Sequence, residues 1–154
     1  MIRISKLTDY GIVLLTYLAR NPGSATYTAR DLATESGLPL PTVGKLLKAL
    51  SRGSFLESER GINGGYRLAK PPEKITISEI ITVLEGPISL TECAGSHEVC
   101  DLEHACPARS NWRKINDVVR KALSDLTLAD MSHPLPKGFS TSTHSQRKPQ
   151  AVTV

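Results

Sequence analysis

The chain has 154 residues, 40% of them apolar and only 5% aromatic, which suits one compact domain with a modest, largely aliphatic core. A formal charge of +4 favours an anionic partner without naming it. With no apolar run near the roughly 18 residues of a membrane span, and no signal-peptide pattern in MIRISKLTDYG, a cytoplasmic chain with reduced thiols is expected.

The stretch ISKLTDYGIVLLTYLARNPGS places Ile4, Leu7, Gly11, Leu14, Leu15 and Leu18 at helical spacing. The spacing predicts an amphipathic helix that NPG stops at about Ala19.

TARDLATESGLPLPTVGKLLKALSRGSFL reads as two short helices. Thr28 with Asp31 has the pattern of a capping box, Leu32 and Ala33 face inward, and Gly37 ends the first helix. A second helix starts near Pro39 to Thr42 and buries Val43, Leu46, Leu47 and Leu50, while Lys45, Lys48 and Arg52 lie off that stripe. A tight turn at Gly37 between them predicts a helix-turn-helix.

FLESERGINGGYRLAKPP follows directly. Phe55 and Leu56 open one strand, Tyr66 to Leu68 form another, and GINGG supplies residues that tolerate the positive φ of a tight hairpin. A hairpin at this place reads as a wing. Residues 41–70 carry six cations (Lys45, Lys48, Arg52, Arg60, Arg67, Lys70) against two carboxylates (Glu57, Glu59). The surplus equals that of the whole chain, so the positive balance sits where a nucleic-acid reader would be.

Thr76 with Glu79 predicts a second capping box, opening a short helix with Ile77, Ile80, Ile81 and Leu84 inside and EGP at its end. The loop after it, CAGSHEVCDLEHAC, holds all three cysteines: Cys93, Cys100 and Cys106. Their neighbours are mostly small or polar, which disfavours inert core thiols. An odd count argues against a disulfide framework. The spacing C-x6-C-x5-C lacks the C-x2-C pair of common zinc modules. Spacing alone leaves an iron–sulfur cluster and a thiol switch both open. A thiol enzyme would need a histidine base nearby; His97 and His104 are close in sequence, but no oxyanion-hole or substrate-pocket signal accompanies them. The chain is therefore not expected to be an enzyme.

In SNWRKINDVVRKALSDLTLADM, Trp112, Ile115, Val119, Ala122 and Leu126 form an a/d seam, which predicts a long helix packed on its copy in a second subunit. The tail from Ser132 is polar and is expected to be disordered.

The expected architecture is mainly α with a small β wing: a winged helix-turn-helix over 1–88, a cysteine loop over 89–107, a dimerisation helix over 108–131 and a tail over 132–154.

ISKLTDYGIVLLTYLA, RGINGGYRLAKPPEKITISEIITVLEG and a cysteine triplet ending in CPARSNW resemble the Rrf-type family of winged-helix transcription regulators, which includes the IscR, NsrR and SUF-operon regulators. The resemblance spans residues 1 to about 131. It implies a homodimer that reads a roughly palindromic operator in double-stranded DNA. It also implies an iron–sulfur cluster, of two-iron or four-iron form, held by Cys93, Cys100 and Cys106. Thr42 and Lys45 match DNA-facing positions of the recognition helix. Arg60 matches the base-reading arginine of the wing, and Trp112 the tryptophan of the dimer helix. Lys45, Lys48, Arg52 and Arg67 are expected to meet phosphates.

Two positions depart from IscR-like members. Arg109 stands where they place a ligating histidine, and Gly44 where they place a recognition-helix glutamate. By resemblance to NsrR-like members, Asp9 of the partner subunit is the favoured fourth ligand, with His97 and His104 as local alternatives. Control of cluster-assembly genes of the SUF type is the implied role. A nitric-oxide-responsive repressor and a cluster-free thiol switch are the alternatives.

Overall fold

The computed structural model describes residues 3–20, 26–61, 64–94 and 106–133. It contains α1 (Lys6–Arg20), α2 (Ala29–Ser36), α3 (Leu40–Arg52), β1 (Leu56–Glu59), β2 (Gly65–Leu68), α4 (Ile77–Glu85), α5 (Arg109–Asp125) and α6 (Leu128–Ser132). The architecture is the expected one, mainly helical with a two-stranded antiparallel sheet.

Both expected capping boxes are present. Thr28 accepts from the Asp31 amide while the Asp31 carboxylate accepts from the Thr28 amide, and Thr76 and Glu79 repeat the exchange. Each satisfies two amides that a helix start leaves bare. Gly37, in the left-handed region at φ 69°, ends α2 and turns the chain into α3. On α3, Val43, Leu46, Leu47 and Leu50 are fully buried. They join Leu14, Leu15, Leu32, Phe55, Ile80 and Leu128 in one core. Full burial of an aliphatic side chain contributes about 1.5–3 kcal/mol, so this stripe fixes α3 with its polar face outward.

The wing pairs Leu56 with Leu68, Glu57 with Arg67, Ser58 with Tyr66 and Glu59 with Gly65. It is tied back to the helical core by a bridge between Tyr27 and Tyr66. Gly65 makes that approach possible: a Cβ there would lie 2.7 Å from the Tyr27 carbonyl oxygen.

Two expectations are corrected. Ile4 precedes α1 and is 44% exposed; the inward positions missed in sequence are Thr8, Ile12 and Ala19. The segment expected as one dimerisation helix over 108–131 is two helices. Thr127 opens α6 with a third capping box. The chain at this break also pairs with residues 75–77, through Ile77 N–H to Leu126 O and Leu128 N–H to Ile75 O. Leu128 is then fully buried, so α6 belongs to the winged-helix core. The a/d seam of α5, expected to meet a second subunit, lies apart from the face that α5 turns toward its own core. Asn116 is 2% exposed and Leu123 packs against the core, while Trp112, Ile115, Val118 and Leu126 are exposed. The expected disordered tail lies, from residue 134, outside the described residues.

Candidate nucleic-acid interface and cysteine loop

The outward face of α3 carries Gly44, Lys45, Lys48 and Arg52, all exposed, with Thr42 half-buried at the helix start. The Thr42 amide donates to the Pro39 carbonyl oxygen at 2.9 Å, so this residue lies in the first turn. Gly44 has open space where a side chain would be, which leaves backbone exposed between Pro41 and Lys45. Arg60 and Gly61 are exposed at the end of β1, where Gly61 takes φ 126° to begin the hairpin turn. Among the described residues, Lys45, Lys48, Arg52 and Arg60 make no ion pair. They are the cations free to meet an anionic groove.

Arg67 is placed differently from the expectation. Its guanidinium holds Glu57 at 2.8 Å and Glu59 at 3.2 Å, both on its own face of the wing. Lys70 lies 6.0 Å from the centre of the Phe55 ring, a distance that allows a cation–π contact. The wing therefore offers fewer unpaired cations than its composition implied.

The family model for Rrf2, described as an iron-dependent transcriptional regulator, matches residues 4–134. The chain belongs to the Rrf2 family. Its relatives there are transcriptional regulators, not enzymes. The chain is 34% identical over 131 residues to the HTH-type transcriptional regulator CymR of Bacillus subtilis (strain 168), covering 84% of this chain and 89% of CymR. The solved structure of that CymR, the global cysteine regulator of B. subtilis, superposes with TM-score 0.69 at 31% identity over 86% of this chain and 97% of CymR. IscR of T. potens gives TM-score 0.65 at 29% identity over 84% of this chain and 85% of IscR. The oxidized form of Staphylococcus aureus CymR gives 0.66 at 28% identity over 87% and 98%.

In this Rrf2 chain the described residues on either side of the cysteine loop lie at α5. The 3₁₀ turn Glu92–Ala94, which contains the Cys93 backbone, packs on α5. Cys106, half-buried and free, leads directly into α5, its carbonyl oxygen accepting from the Arg109 amide at 3.3 Å. The stem before the loop is clamped by Asn116: its Oδ1 accepts from the Leu90 amide and its Nδ2 donates to the Ile88 carbonyl. The Cys93 side chain, Cys100, His97 and His104 lie outside the described residues.

Asp9 sits in the first turn of α1, exposed. It lines a groove with Ile4, Ile12, Ile77, Leu123, Leu126 and Met131. Leu123 and Leu126 are at the C-terminal end of α5, whereas Cys106 precedes its N-terminal end. A 17-residue helix is about 25 Å long, so within one chain Asp9 stands by the end of α5 remote from Cys106. Two of the bare amides at the start of α1 are served without it. Ser5 Oγ accepts from the Thr8 amide, and the Ser5 amide donates to Glu85 at 2.8 Å. Hydrogen bonds first from the Thr8 hydroxyl and then from Ser5 hold the Glu85 carboxyl below its ordinary range, against the opposing effect of burial.

Asn116, Val118 and Glu85 were not singled out from sequence. A signal existed only for Asn116, a polar residue seven positions before the inward-facing Leu123.

Proposed function

We propose that this Rrf2 regulator acts as a homodimer on operator DNA and senses iron–sulfur cluster status through Cys93, Cys100 and Cys106. Cluster-assembly genes of the SUF type are the targets we infer. The observation that supports the sensing part is that the chain on either side of the cysteine loop, Glu92–Ala94 and Cys106, lies at α5. Three thiols suit iron as soft ligands, and Arg109, permanently protonated, has no lone pair to add. Asp9 of the partner subunit supplies the fourth ligand in this reading. Its distance from Cys106 within one chain, and its freedom from any capping bond among the described residues, support the donation across the dimer. When bound, a cluster supplies a redox- and nitric-oxide-reactive centre.

The chain's own residues do the rest. α3 enters the major groove from Thr42 onward, with Lys45, Lys48 and Arg52 toward the phosphates and Arg60 toward a neighbouring groove. The exposed stripe of α5 joins the two copies. Asn116 links the stem of the loop to α5, so a change in the loop is felt in the spacing of the two α3 helices. Couplings of this kind amount to roughly 1–3 kcal/mol.

The likeness to CymR, a global cysteine regulator solved also in an oxidized form, favours a second reading in which the three cysteines form a thiol switch without iron. Purification without air separates the two. A brown protein with stoichiometric iron and sulfide, whose DNA affinity changes on cluster loss, is expected. A colourless protein whose DNA affinity responds to oxidant and thiol reductant overturns the cluster reading in favour of the switch.

A further inference from the structure

The ion triplet on the wing has a use that stability does not explain. Glu57 and Glu59 alternate along β1 and so share one face of the hairpin. Arg67 stands directly across from Glu57 and diagonally from Glu59, and bonds both. All three side chains are about half exposed, and exposed ion pairs contribute little to folding. Their effect on charge is larger. One cation is taken out of the set available to DNA, and the triplet as a unit carries net negative charge beside Arg60.

From this we propose that Glu57 and Glu59 sequester Arg67 from the phosphate backbone, and so set the sequence-independent affinity of the wing. The inference rests on the reading that the wing faces DNA. Arg67 is then a positioning residue that holds two carboxylates in place, and Arg60 is the wing's own contact. The consequence is restraint. Each phosphate contact steepens the salt dependence of binding by roughly 0.9 in log K against log salt. A wing with Arg67 released would hold random DNA more tightly and compete with the operator for the regulator.

The test uses the full-length dimer and a random-sequence DNA duplex, with binding followed by fluorescence anisotropy as salt is raised. Glu57→Gln with Glu59→Gln is expected to tighten binding at low salt by roughly tenfold and to steepen the slope by about 0.9, the value of one new phosphate contact. Adding Arg67→Ala to that variant is expected to return the slope to the wild-type value. Arg67→Ala alone should weaken binding and leave the slope unchanged, because no phosphate contact is lost. The proposal is overturned if removing the two carboxylates leaves the slope unchanged, or if Arg67→Ala alone lowers it by about one contact. Failure of wild-type protein to bind the duplex at any salt would instead overturn the underlying reading of the wing. The substituted positions are exposed, and unchanged melting temperatures confirm that the variants fold.

Discussion

Asn116, in the middle of α5, holds the main chain of Leu90 through a hydrogen bond of 3.0 Å from the Leu90 amide. The other end of the same side chain donates to the Ile88 carbonyl at 3.3 Å. One carboxamide thus satisfies a donor and an acceptor of a half-buried stem, and holds residues 88–90 against α5. Asn116→Ala removes the partner of both groups from a position that is itself 2% exposed. We expect a loss of about 1–3 kcal/mol in unfolding free energy, from the desolvation cost of an orphaned polar group. Asn116→Asp should lose at least as much, since it removes the donor and buries a charge. Urea unfolding of the apo-protein measures both, and a loss below about 0.5 kcal/mol, the range of ordinary surface changes, would mean that Asn116 does not hold the stem.

Arg60 carries the wing's base reading in the proposed mode. A bidentate contact to guanine is worth about 1–3 kcal/mol of discrimination. Arg60→Ala should therefore bring affinity for a selected operator close to that for scrambled DNA, while gel filtration still shows a dimer. Unchanged discrimination would remove Arg60 from the reading face.

The exposed stripe of α5 centres on Val118, which is 68% exposed, rather than on the half-buried Val119. Val118→Glu puts a charge into the inferred dimer seam and should yield monomers by light scattering at micromolar concentration, with the monomer fold intact by circular dichroism. A variant that stays dimeric would place the seam elsewhere on the molecule.

Because the start of α1 is capped by Ser5 and Glu85, Asp9 has only a dipole role to lose in the fold, about 0.3–1 kcal/mol. Asp9→Ala should leave the apo-protein melting nearly unchanged, yet alter the visible spectrum of anaerobically prepared protein and speed its bleaching in air. An untouched spectrum, or nitrogen coupling in pulsed electron paramagnetic resonance, would move the fourth ligand to His97 or His104.

Three caps set a pH dependence. The carboxyls of Asp31 and Asp130 are lowered first by the hydroxyls of Thr28 and Thr127, and that of Glu85 first by the Thr8 hydroxyl. A depressed folded-state value means that stabilisation is present in full above the unfolded value and is lost as pH falls through the folded one. Melting temperature should thus be flat near neutrality and drop below about pH 4.5, the ordinary value for Glu85. Glu85→Gln should lower the neutral-pH plateau and make the acid drop shallower. An acid drop identical to that of the wild type would assign it to other groups.

What the sequence by itself determined was what is settled within a few residues. Thr28 with Asp31 and Thr76 with Glu79 interact three positions apart, so their pattern is their geometry. The stripe Val43, Leu46, Leu47 and Leu50 recurs at the helical period, and the residues between it had to face outward. The glycine hairpin is equally local. Only the tertiary structure could decide relations between distant segments. Glu85 caps a helix 80 residues away, because α1 packs on α4. The break at Thr127 was open to local reading as a cap, but its cause is the backbone pairing with residues 75–77, which anchors α6 to the core. Asn116 and Val118 are two positions apart on one helix; which of them is buried depended on the side from which residues 88–90 approach. Charge counting placed Arg67 among the free cations, and only the strand register brought Glu57 and Glu59 within reach to occupy it.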